Sequence, residues 1–159
     1  MAGKQIAQAT CILVASWYGM MFVHESGHCL AAWMSGAVVD RVDIPLLGFS
    51  KTEVSSADHP LLVVWGGPVL GVVAPLSILP FARKHFRDAI LFFVGFCAVA
   101  NGAYIGFGAT LRVGDCQELR LHGAAVWQLW LFGLTSLLLG FYLWHRLGPL
   151  KRWFLPSKD

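Results

Sequence analysis

Charge is what this chain of 159 residues has least of. Asp, Glu, Lys and Arg together make up 13% of it, against about 25% in an ordinary soluble domain. So little charge excludes a disordered tail, and it excludes a nucleic-acid partner, because both need dense charge to stay solvated or to meet phosphates. It also argues against a typical soluble enzyme. The net charge of +3 is modest. The chain has no C-x-x-C pair, internal repeat or low-complexity run. Its four cysteines are Cys11, Cys29, Cys97 and Cys116. Three of them sit in apolar stretches, where a cysteine serves as a small hydrophobic filler rather than as a disulfide or thiolate.

What the chain does have is apolar length. It is 57% hydrophobic with a mean hydropathy of +0.62. Four long apolar stretches run over about 6–34, 61–81, 89–111 and 124–147. Each can cross a hydrocarbon core, which takes about 20 helical residues. A lone segment must satisfy its own backbone in lipid, so these stretches are expected as helices. The first is read as a membrane helix rather than a signal peptide, because apolar character resumes after His28 and no small-x-small site ends the run. The expected fold is a single all-α integral membrane domain over 1–159, with about four transmembrane helices. Strand character over 38–44 and 49–54, separated by Pro45 and Gly48, adds a small β-hairpin in the first loop. Eight of the twelve Lys and Arg fall on one side of a four-helix chain: Lys4, Arg83, Lys84, Arg87, Arg146, Lys151, Arg152 and Lys158. The positive-inside rule then puts both termini of this multi-pass chain in the cytoplasm. The compact single-domain form suggests a prokaryotic cytoplasmic membrane.

His24-Glu25-Ser26-Gly27-His28 is an H-E-x-x-H pattern inside the first apolar stretch. On a helix, residues i and i+4 share a face, so both imidazoles can reach one metal ion with Glu25 beside it. Zinc accepts two His nitrogens, a third protein ligand and a water whose pKa it lowers, and Glu25 can take the water's proton. Five-residue patterns do arise by chance, and a polar helix contact or a decayed site would also account for this one. Against chance stands the cost of polar groups in lipid, roughly 2.5–3.5 kcal/mol for one charge at mid-bilayer. Candidates for the third ligand are Glu53, Asp58, His59, Asp88, Asp115, Glu118 and His122. The first and third segments run in the same direction, so Asp115 follows the third segment at the motif's face and Asp88 lies at the opposite one. Glu53 and Asp58 can fold back from the first loop and remain alternates. An unbroken third helix would leave Asp115 about 22 Å past its midpoint, at about 1.5 Å per residue. A break at Asn101-Gly102, Gly106 or Gly108, or a re-entrant turn at Gly114-Asp115, would bring it in.

The motif His24-Glu25-Ser26-Gly27-His28, with Gly66-Gly67-Pro68, Asn101 and Gly114-Asp115, resembles the site-2 protease family of intramembrane zinc metalloproteases. The matching pieces span about 17–123. The resemblance implies a three-helix catalytic core, one Zn2+ per chain held by His24, His28 and Asp115, and Glu25 as catalytic base. It implies an intramembrane metalloendopeptidase that hydrolyses a peptide bond in or near a transmembrane segment of a membrane-protein or peptide substrate. It also implies that the loop after the motif helix presents strands to an extended substrate. The chain departs from the family in its carboxylate context, Val113-Gly114-Asp115-Cys116 in place of Leu-Asp-Gly, and has no substrate-recognition domain.

Other residues carry plainer readings beside functional ones. Trp65-Gly66-Gly67-Pro68-Val69-Leu70-Gly71 is a small-residue run that suits close helix packing. The same close approach lets Gly67 and Pro68 shape a substrate cleft beside the metal. Pro75 and Pro80 are expected to kink this helix. Asn101 is either an interhelical hydrogen bond or a donor to substrate or oxyanion. His122 and His145 suit the interface, as do Trp127, Trp130 and Trp144 on a fourth helix that reads as scaffold or gate. Two other functions compete. One is a catalytically inactive membrane relative that binds clients or partners. The other is haem electron transfer, which His24 and His28 cannot serve from both faces of a haem, since they point to one side.

Overall fold

The structure is a computed structural model and describes residues 2–84 and 86–148; the side chains of residues 2, 4 and 5 fall outside the description. Of the residues used in the charge count, Lys151, Arg152, Lys158 and the side chain of Lys4 therefore lie outside the described residues, as does His85 in the basic loop. The element order is α1 (Ala2–Met34), β1 (Val38–Asp43), β2 (Lys51–Ser55), α2 (Pro60–Ile78) with a short 3-10 turn (Leu79–Phe81), α3 (Arg87–Leu111), α4 (Asp115–Leu121) and α5 (Val126–Leu147).

Among the described residues, four helices are long and apolar enough to cross a membrane: Ile6–Met34, Pro60–Phe81, Arg87–Leu111 and Val126–Leu147. They correspond to the four expected segments with ends shifted by a few residues. Pro60 opens α2 because a first-turn proline forfeits only an N–H that has no helical partner. Besides the four expected helices, the connection 112–123 contains a further one, the seven-residue α4. The expectation that Pro80 kinks α2 is corrected. Pro68 and Pro75 lie inside α2, whereas Pro80 falls in the 3-10 turn that ends it.

Glycine lets the helices touch by backbone. A methyl group on Gly66 would lie 2.6 Å from the Ala31 side chain, and one on Gly27 would lie 2.8 Å from the Gly66 carbonyl carbon, so α1 and α2 touch here with no room for a side chain between them. At the α3–α5 seam, Gly133 faces Gly102 and Gly106, and Trp144 fills a notch at Gly95 while its Nε1 donates to the Phe92 carbonyl at 3.0 Å. α5 carries no residue of the site below. Trp127 and Trp130 are exposed on its outer face.

The β-hairpin is antiparallel, with Val39 opposite Val54, Val42 opposite Thr52 and Asp43 opposite Lys51, and a bulge between Val39 and Arg41. The strands end at Asp43 and begin at Lys51, a shorter hairpin arm than expected. Alternation sorts the side chains of β2, and the bulge in β1 turns Arg41 and Asp43 to the face opposite Val39. Arg41–Asp43 and Lys51–Glu53 ion pairs, both 2.8 Å, lie on the outer face, while Val39 and Val54 pack inward on Ala32, Ala37 and Val63. The hairpin folds back along α1 rather than away from it. Its tip is held where the Tyr18 hydroxyl donates to the Leu46 carbonyl at 2.7 Å. Tyr18 lies about 24 Å along α1 from Met34, at about 1.5 Å per residue.

Candidate metal centre

α1 presents His24, Glu25 and His28 on consecutive turns, 7%, 3% and 7% exposed respectively. His24 and His28 lie about 15 and 9 Å along the axis from the end of the helix. Burying three such groups is costly unless each has a partner, and among the described residues every buried side-chain nitrogen or oxygen has one.

Asp115 reaches them by a reversal of the chain. α3 runs unbroken to Leu111, so of the two routes the sequence allows, the turn is the one used. Arg112 closes the helix in the left-handed region (φ 53°), and Gly114 takes φ 52°, ψ −136°. A methyl group at Gly114 would run into the Tyr104 hydroxyl, and its φ disfavours any side chain. The reversed segment is then fastened to the helix it left. The Asp115 backbone N–H donates to the Tyr104 hydroxyl at 3.0 Å, and the Cys116 thiol donates to the Ile105 carbonyl at 3.3 Å. Burial, with the charge of Asp115 adding to it, pushes the Cys116 thiol up to about 12, so it stays a thiol.

Three ligand atoms converge. Asp115 Oδ2 lies 2.9 Å from His24 Nε2 and 3.3 Å from His28 Nε2, and the two Nε2 atoms are 3.1 Å apart. A tetrahedral ion with bonds of about 2.0–2.1 Å has ligand-to-ligand edges of about 3.3–3.4 Å, so the triangle is within a few tenths of an ångström of one face of that tetrahedron.

The other ring nitrogens fix the tautomers. His28 Nδ1 lies 2.9 Å from the Val63 carbonyl, which can only accept. His24 Nδ1 lies 2.6 Å from Asn101 Oδ1, and the amide's orientation follows from Asn101 Nδ2, which donates to the Cys97 carbonyl at 2.9 Å. Each neutral imidazole therefore carries its proton on Nδ1 and turns an Nε2 lone pair toward the carboxylate. Burial works to raise the Asp115 pKa; where a proton rather than a metal sits among the three atoms, the hydrogen bonds and charge that His24 and His28 then direct at the carboxylate more than reverse it, holding its carboxyl below the usual carboxylate range. Two lone pairs and an anion facing one another at about 3 Å repel unless a cation or a proton sits among them. The group can hold a metal ion, and among the described residues it is the cluster of His, Cys, Asp and Glu side chains close enough to do so.

Asn101 spends its amide on His24 and on its own helix, which makes it a group that orients a ligand. Gly67 lies against the His28 ring: a methyl group there would sit 2.5 Å from Cε1 and closer still to Nε2. Its place in the site is to leave room for the ligand. Pro68 is fully buried inside α2. Glu53 pairs with Lys51, and Asp58 and His59 are exposed. Asp88 is exposed in the first turn of α3, at the far end. Glu118 on α4 and His122, just past its end, face each other at 3.7 Å. The alternates for the third ligand are thus not brought to the histidines. A porphyrin cannot fit between nitrogens 3.1 Å apart.

Two groups enter the site that the sequence did not single out. Thr52 on β2 donates its hydroxyl to Glu25 Oε2 at 2.6 Å. Strand alternation puts Thr52 on the inward face with Val54, which is the one signal for it in the sequence. Tyr104 stands edge-on to His24, with ring centroids 6.0 Å apart, besides receiving the Asp115 N–H. Compared with protein-family models, curated proteins and solved structures, the chain finds no match.

Proposed function

We propose that this chain is an intramembrane zinc metalloendopeptidase of the site-2 protease type, hydrolysing a peptide bond in or near a transmembrane segment of another membrane protein. The observation that carries the reading is the convergence of His24, His28 and Asp115 at about tetrahedral spacing, with both Nδ1 protons already placed, beside a buried Glu25. His24, Glu25 and His28 lie well inside a helix long enough to cross a membrane, and Asp115 reaches them from the turn after another. The donor set of two imidazoles and a carboxylate suits zinc in an open, catalytic site. One zinc per chain, held by those three residues, would supply Lewis acidity to polarise a carbonyl and to acidify a water.

The chain's own residues do the rest. Asn101 and the Val63 carbonyl hold the two imidazoles in the ligating tautomer. Thr52 occupies Glu25 Oε2 and leaves Oε1 to accept a proton as general base and return it to the leaving amine. The low-dielectric surroundings of a site this buried strengthen each of these interactions. In this reading the bilayer is the working environment, both termini face the cytoplasm, and the membrane is a prokaryotic cytoplasmic one.

The second reading, an inactive relative that binds clients or partners, is favoured by the hydrogen bond that already engages Glu25. The two separate in vesicles. Zinc-loaded wild type and Glu25→Gln are reconstituted with a panel of labelled single-span peptides, and products are identified by mass spectrometry. Cleavage by wild type alone, at equal zinc content, is the expected result. Equal cleavage by both removes Glu25 from the mechanism. No cleavage by either, with zinc bound, favours the inactive relative.

A further inference from the structure

The hairpin tip holds an aromatic side chain that serves no core. Phe49 is 73% exposed, yet its ring bridges two helices. It lies stacked on Tyr104 of α3 (centroids 6.1 Å, planes 22° apart) and tilted against Trp17 of α1 (6.1 Å, 54°). Tyr104 in turn contacts His24 and receives the Asp115 N–H, so one aromatic ring separates Phe49 from two of the three ligands. Three residues further on, Thr52 sits on Glu25. Three residues before Phe49, the tip is tied down by the Tyr18–Leu46 hydrogen bond. The chain thus lays its own segment 49–52 across the seam between α1 and α3 beside the site, with an apolar ring at one end and a hydroxyl on the general base at the other.

A ring that is three-quarters exposed and touches two other aromatics is easily displaced, and what it vacates is a surface suited to another such ring. We propose that the Trp17–Tyr104 seam is a substrate subsite for a bulky aromatic or apolar side chain next to the scissile bond. Phe49 occupies that subsite in the closed hairpin and yields it when substrate binds. The inference rests on the metallopeptidase reading and adds to it the class of residue accepted and the segment that must move.

The test needs no natural substrate. The detergent-purified protein is loaded with cobalt(II), whose visible absorption reports ligand binding at the metal. It is then titrated with acetohydroxamate and with 3-phenylpropanohydroxamate, which differ by an aromatic arm. In Phe49→Ala, the phenyl compound should bind about tenfold more tightly than in wild type, a change of the size that aromatic contacts supply, while acetohydroxamate binding stays unchanged. In Phe49→Trp, which keeps the seam filled, the phenyl compound should gain nothing. Equal shifts for both hydroxamates, or none, in a cobalt-loaded Phe49→Ala would overturn the subsite and leave the metal centre standing. Wild type that takes up no cobalt would overturn both readings.

Discussion

Gly67→Ala adds one methyl group, removes no ligand, and should nevertheless empty the metal centre. The methyl would lie 2.5 Å from His28 Cε1 and 2.7 Å from Cδ2, where ordinary contact begins at about 3.4 Å. The ring must therefore retreat by close to 1 Å, whereas a metal site tolerates ligand displacements of about 0.2 Å. His28 has no easy way to retreat, because turning the ring breaks the Nδ1 bond to Val63 in a buried setting. Disturbing a group that merely orients a ligand costs 10–100-fold in metal affinity. Displacing the ligand itself should cost at least the upper end, about 100-fold. The helix is not weakened by the change, since alanine is the better helix former by about 0.8–1.0 kcal/mol. Gly3→Ala, whose methyl would meet nothing within 4 Å, is the control. Zinc affinity is read by competition with a chromophoric chelator, and helix content by circular dichroism. A Gly67→Ala protein that binds zinc within threefold of wild type would refute the reasoning.

Other substitutions probe the supporting contacts. Asn101→Leu leaves the buried His24 Nδ1 proton without an acceptor and should lower zinc affinity by about 10–100-fold; an unchanged chelator titration would count against the orienting role. The depressed pKa of Asp115 has a definite pH signature in the metal-free protein. The stability it contributes is full above the unfolded carboxylate's value of about 3.9 and is lost as pH falls below that toward the folded value. Thermal midpoints of wild type and Asp115→Asn should therefore differ at pH 7 and converge in acid; a gap that widens in acid would reverse the sign. With its thiol pushed up to about 12 and fully buried, Cys116 should resist maleimide at pH 7 while the exposed Cys11 is labelled, as peptide mapping would show.

The sequence makes the membrane segments and the two histidines legible for one reason: both are local. An apolar run long enough to cross lipid, and two side chains four residues apart, need no tertiary information. The third ligand is partly legible, because alternating segment direction brings the end of α3 to the face of the motif. How Asp115 gets there is less so. It depends on left-handed Arg112 and on Gly114, and α4 is too short to announce itself by periodicity. Tyr104 and the Val63 carbonyl are invisible in the sequence, and Thr52 shows only by strand alternation, all three being ordinary residue types 80, 35 and 27 positions away from the α1 residues they meet. Gly67 and Asn101 stood out as unusual in their segments. Only the contacts show that one makes room for His28 and the other orients His24.

The central claim is that His24, His28 and Asp115 hold one zinc ion. Zinc X-ray absorption on the detergent-purified protein, normalised to metal content, tests it most directly. The account predicts about one zinc per chain in a shell of nitrogen and oxygen at about 2.0–2.1 Å, with outer-shell scattering from two imidazoles that is lost together with the metal in Asp115→Ala. A folded protein that retains no zinc, or a sulfur neighbour at about 2.3 Å pointing to cysteine instead, would contradict it.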